Sequence, residues 1–103
     1  MLFRSIGKAV VANSAEEANS KVKEGDILVA KTTDPDYNPA IKKASGLVVE
    51  ASGLTSHAAV IGLSLGIQVV VGTTDATEKI SDGTTITVDA RRGAIYQGEI
   101  SNL

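Results

Sequence analysis

Layered α/β structure around a mixed sheet is the fold class this sequence predicts, and three observations carry that prediction. Short apolar runs alternate with helical signals from residue 8 to residue 71. Several of those helical signals bring their own capping residues. In the last third the pattern changes to a polar and apolar alternation broken by turns, which reads as antiparallel strands. A chain of 103 residues supplies one core, so residues 1–103 are expected to form a single domain. Hydrophobic residues make up 43% against 21% charged, a balance that can bury such a core.

The elements follow in order. Residues 8–13, Lys-Ala-Val-Val-Ala-Asn, read as a short buried strand. Ser14 and Glu17 have the spacing of a capping box, which starts a helix over about residues 15–22. Glu24-Gly25 breaks it, and residues 26–30 form a second apolar strand. Residues 32–37 are a polar loop in which Asp34 and Asp36 read as a solvated acidic turn. Asn38 before Pro39 predicts a capped two-turn helix over residues 39–44. Residues 46–50 are the third strand, and Ser52-Gly53 supplies a tight loop into a helix over residues 56–65. That helix carries no charge after its histidine, so it is expected to be largely buried. Gly66 is placed to cap it, and residues 67–71 read as a strand buried on both faces. Residues 74–79 suggest one helical turn. Residues 85–89 alternate as a half-exposed strand, and Arg91-Arg92-Gly93 turns into residues 94–97, closing a C-terminal β-hairpin.

Chemistry concentrates at Gly53-Leu54-Thr55-Ser56-His57-Ala58-Ala59-Val60-Ile61, where the only histidine of the chain meets a helix start. Thr55 or Ser56 can cap the first turn, whose unpaired N–H groups and positive dipole end suit an anion. Gly53 lets backbone approach a phosphate. Small residues after His57 leave room for a bulky incoming group. An imidazole here is biased towards its neutral, nucleophilic form, and the same N–H groups would stabilise a phosphorylated product. The same features also have plain packing explanations, and both readings stay open on spacing alone.

Other chemistries are excluded or poorly supported. One histidine and no cysteine cannot build a zinc site or a disulfide framework, and cytoplasm is the expected compartment. A Ser-His-Asp triad from Ser56 or Ser64 lacks a nucleophile elbow. Ten basic residues lie scattered among twelve acids for a net charge of -2, which argues against nucleic acid as a partner. No run approaches the ~20 apolar residues of a membrane span, and the opening residues lack a signal peptide's apolar stretch.

From Gly53 to Ile61, continued by Gly62-Leu63-Ser64-Leu65-Gly66-Ile67-Gln68-Val69-Val70-Val71-Gly72, the sequence resembles the mobile phosphohistidine domain of phosphoenolpyruvate-utilising enzymes. That family includes pyruvate phosphate dikinase, phosphoenolpyruvate synthase and the first enzyme of the sugar phosphotransferase system. Ser5-Ile6-Gly7-Lys8-Ala9, Gly25-Asp26-Ile27-Leu28-Val29, Asp82-Gly83, Thr87-Val88-Asp89 and Gly93 extend the resemblance over essentially the whole chain. Ala15-Glu16-Glu17-Ala18, Lys23-Glu24-Gly25-Asp26, Lys31-Thr32-Thr33-Asp34 and Leu63-Ser64-Leu65-Gly66 look most like the extra C-terminal domain of some bacterial pyruvate kinases. The sequence departs from the family at Ser52, where a second glycine is usual, and at Gln68 and Ile6, where proline is common.

The resemblance implies the swivelling β/β/α fold, three layers with a mixed sheet and a C-terminal β-hairpin. It implies that His57 takes a phosphoryl group from phosphoenolpyruvate at one active site and delivers it at another, with Gly53, Thr55 and Ser56 holding the phosphate. The partners implied are the other domains of a parent phosphotransferase or pyruvate kinase. No cofactor is implied in this domain, and Mg2+ is expected only in partner catalytic domains. The alternative, suggested by the pyruvate kinase branch, is a non-catalytic structural or regulatory domain in which His57 is never phosphorylated.

Overall fold

A computed structural model of the chain describes residues 4–50, 57–73, 75–89 and 93–97. In order, the elements are β1 (Arg4–Val11), α1 (Ala15–Lys21), β2 (Ile27–Ala30), a 3-10 turn (Pro35–Tyr37), α2 (Asn38–Lys43), β3 (Gly46–Val49), α3 (His57–Leu65), β4 (Gln68–Val70), α4 (Ala76–Lys79), β5 (Thr85–Asp89) and β6 (Ala94–Gln97).

Local chemistry accounts for the first two helices. The Ser14 hydroxyl accepts from the Glu17 N–H at 3.1 Å, and the Glu17 carboxylate accepts from the Asn13 N–H at 2.8 Å. This capping box is worth about 1 kcal/mol, and Glu16 and Glu17 in the first turn with Lys21 in the last suit the helix dipole. The start of α2 differs from the sequence expectation. Its cap position falls on Tyr37, which makes no side-chain cap bond, so Asn38 is the first helical residue. The capping comes from elsewhere: the Asp34 carboxylate accepts from the Asp36 N–H at 2.9 Å to start the 3-10 turn, and Asn19 Oδ1 on α1 accepts from the Ala40 N–H at 3.0 Å. The expected polar loop thus winds into a turn that buries Tyr37.

The six strands form one sheet in the order β4-β3-β2-β1-β5-β6. Strands β1 to β4 pair in parallel, whereas β1 with β5 and β5 with β6 are antiparallel. Register explains the core directly. Val10, Leu28, Leu47 and Val69 lie side by side across four strands and face Ala18, Tyr37, Ile41 and Ile61 of the helices. One residue along, Val11, Val29, Val48 and Val70 form the next row and face the other way, towards Ala76, Ile80, Ile86, Val88 and Ile95. Period-two alternation sorts each strand between two cores. The sheet curls strongly enough that β4 touches β5 although three strands separate them. Helices α1, α2 and α3 cover one face of the parallel part, and the β5-β6 hairpin folds over the other, giving the β/β/α layering.

Three strands differ from their sequence patterns. β1 starts at Arg4, because residues 4–8 are paired by β5, a partner distant in sequence that no local pattern reveals. β5 is buried from Ile86 to Asp89, since it is flanked by β1 and β6 and roofed by the curl. β4, expected to be buried on both faces, is the edge strand, and Gln68 and Val69 are only half-buried.

Candidate functional site

The unit that carries the histidine is β3-α3-β4. Because β3 and β4 are parallel neighbours, α3 must run back against them, which brings its first residue, His57, to the edge where the parallel strands end. Ligands of open α/β sheets bind outside that edge. Gly53, Thr55 and Ser56 lie outside the described residues, as do Arg91 and Arg92.

Shape fixes α3 against the sheet. A Cβ on Gly62 would lie 1.9 Å from a methyl carbon of Val69, so only glycine lets the helix pack this closely on β4. Gly66, at φ 71°, ends the helix as its position in the sequence predicts, and the Ile67 N–H donates to the Gly62 carbonyl at 3.1 Å. The expectation of a largely buried helix is corrected here. Ile61 packs into the core, but Val60 is 58% exposed and Leu65 39% exposed, with Ser64 also on the surface. An uncharged helix next to the histidine therefore presents an apolar outer face.

The exit from β3 is tied down by Glu50, the residue after that strand. Its backbone N–H donates to the Ala30 carbonyl at 3.1 Å, and its carboxylate accepts from the Thr77 N–H at 2.9 Å and the Thr77 hydroxyl at 2.5 Å. Those two bonds, the hydroxyl first, hold the carboxyl below its ordinary range, with a further contribution from the positive charge of Lys31. The sequence marks Glu50 as the acid nearest before the motif. Its partner, 27 residues later, has no local signal.

The remaining candidates resolve simply. Asp34 and Asp36 form the capped turn described above, as read from the sequence. Among the described residues no group of three or more His, Asp or Glu side chains stands close enough to hold a metal ion, and no helix is long and apolar enough to cross a membrane. A cavity of about 220 Å3 lies between α4 and the hairpin, lined by Thr73, Ala76, Lys79, Ile80, Ile86 and Ile95. It opens on the sheet face opposite α3.

The model of the PEP-utilising enzyme mobile domain matches residues 22–93, an interval that contains α3 and the whole parallel sheet beyond β1. The chain belongs to that family. This mobile domain is 84% identical over 98 residues to a pyruvate kinase of Lactobacillus delbrueckii subsp. bulgaricus, covering 95% of the chain and 17% of that relative. It is 49% identical over 94 residues to a phosphoenolpyruvate synthase of Aeropyrum pernix, covering 91% of the chain and 12% of the relative. The chain therefore spans less than a fifth of these curated relatives. Among solved structures, the mobile domain matches a solution structure of Enzyme I with a TM-score of 0.65 at 27% identity, over 77% of this chain and 33% of that one.

Proposed function

We propose that this mobile domain is a phosphoryl carrier in phosphoenolpyruvate-linked transfer and that His57 is the residue that carries the group. The observation behind this reading is the position of His57 as the first residue of a nine-residue helix at the ligand-binding edge of a parallel sheet, inside a mobile domain of PEP-utilising enzymes. A nitrogen of the neutral imidazole attacks phosphorus; an N–P bond forms as the P–O bond to the donor breaks, and the leaving oxygen keeps the electron pair. For phosphoenolpyruvate the leaving group is the enolate, which becomes pyruvate after taking up a proton. The second transfer reverses the sequence towards an acceptor oxygen. Gly53, Thr55 and Ser56 are proposed to hold the phosphate through backbone N–H groups and hydroxyls. Donor and acceptor sites, and any Mg2+, belong to partner domains in the cytoplasm.

The test is incubation with phosphoenolpyruvate and a catalytic partner domain, followed by 31P NMR for acid-labile phosphate. The expected result is one phosphohistidine signal that disappears in His57→Ala. No signal from the wild type, or an equal signal from the variant, overturns the reading.

A second reading draws on the 84% identity to a pyruvate kinase. In it, the domain is a packing or regulatory part of such an enzyme and its histidine is idle. Deleting the corresponding region from that relative would then alter stability or effector response and spare turnover, whereas loss of turnover on replacing its motif histidine contradicts it.

A further inference from the structure

We propose that Glu50 and Thr77 are positioning residues: their paired hydrogen bonds clamp the point at which the chain leaves β3 for the segment that carries His57. The bonds are of an unusual kind. The cap position of α4 is Asp75, held at φ 57° and ψ 28° with no side-chain cap bond, and it is the one non-glycine residue at positive φ among those described. Such a conformation persists where surrounding contacts over-determine it. Here the helix start is satisfied from outside, by a carboxylate 27 residues earlier that accepts from both the N–H and the hydroxyl of Thr77. A second tie runs alongside, since the Thr73 N–H donates to the Val49 carbonyl at 3.2 Å and the Thr73 carbonyl accepts from the Ala76 N–H at 3.3 Å. With the Glu50 N–H bonded to Ala30, the exit from β3 is held to β2 on one side and to α4 on the other.

The far end of the same segment is fixed by a different means. α3 is seated by the close approach of Gly62 to Val69. The described residues on either side, Glu50 and α3, are thus anchored differently, one by polar bonds and one by steric fit, and the polar anchor is adjustable by a single hydroxyl. A small displacement of a reacting group costs a large factor in rate, so a clamp at this point governs transfer at His57. That consequence rests on the carrier reading above; the clamp itself does not.

Because His57 is the only histidine, its imidazole resonances are unambiguous and report the segment without any phosphoryl chemistry. Thr77→Val, which leaves the charge of Glu50 in place, is expected to move the His57 titration midpoint measurably away from that of the wild type. It should also slow phosphoryl uptake about 10- to 100-fold. Thr77→Ser, which keeps the hydroxyl, restores both values, and Lys21→Met, remote on α1, changes neither. If Thr77→Val does not fold, Glu50→Asp, with the same charge on a shorter arm, carries the test. A wild-type midpoint in the folded variant, even with a lowered Tm, overturns the proposal and leaves the pair as a helix cap. A shifted midpoint in a chain that never takes up phosphate removes the carrier reading and keeps the clamp.

Discussion

Helices α1 and α2 differ from α3 in how they are held, although all three cover the same face of the sheet. The first two are held by named polar bonds. Ser14 and Glu17 close the capping box, Asn19 bonds both the Asp36 carbonyl and the Ala40 N–H, and Lys21 reaches the Val11 carbonyl and the Asp82 carboxylate. α3 has neither an acid in its first turn nor a base in its last, and sits on β4 through the missing side chain of Gly62. The pair is built to stay folded. The single helix carries an uncharged outer face on which Val60, Ser64 and Leu65 are exposed.

The contrast can be broken at its strongest point by Ile41→Ala. Ile41 is fully buried between α2 and the sheet, so its truncation is expected to cost about 2–5 kcal/mol in urea unfolding. A loss under about 1 kcal/mol would mean that α2 contributes little to the core. Next in size is Gly62→Ala. The added methyl improves helix propensity by at most about 1 kcal/mol, but it collides with a β-branched side chain, and overpacking of this kind costs about 1–3 kcal/mol. The net effect is a destabilisation that Val69→Ala relieves in the double variant; an additive loss would disprove steric seating.

Acid pH sharpens the polar side of the contrast. Asp82 is held below its ordinary value of 3.8, first by the Val11 N–H and then by Lys21. A depressed carboxyl stabilises the fold above its unfolded value and loses that contribution as pH falls through its folded value. Stability should therefore drop below about pH 4, and Asp82→Asn should flatten that drop by under about 1 kcal/mol, since the Lys21–Asp82 pair is substantially exposed. A curve unchanged by Asp82→Asn would contradict this. The smallest effect belongs to Leu65→Ser on α3, expected within about 0.5 kcal/mol because the side chain is 39% exposed. A larger loss would show that the outer face of α3 is packed.

What could be read in the sequence depended on whether the determining partner was near in the chain. The capping box at Ser14 and Glu17, the helix end at Gly66 and the closing hairpin were legible because their causes lie within a few residues. The cap of α2 was misread, since its bond comes from Asn19 on another helix. The first half of β1 and the burial of β5 depend on pairing across most of the chain. At the site, His57 and its helix start stood out from their motif, but neither the outward face of α3 nor the link from Glu50 to Thr77 has a local pattern. Apolar residues in a helix report hydrophobicity, and which of them face outward is settled by the neighbours.

The double pairing of β1 also sets an order of events. Its second half joins β2, a nearby segment, through Ala9 to Ile27, whereas its first half can find its place only when Asp89 arrives opposite Arg4. Contacts between distant segments form late because closing the long loop costs entropy before any bond repays it. The parallel strands and helices should therefore gather first, and the strand that begins the described fold should be among the last to lock, zipped into place by the hairpin made at the other end of the chain.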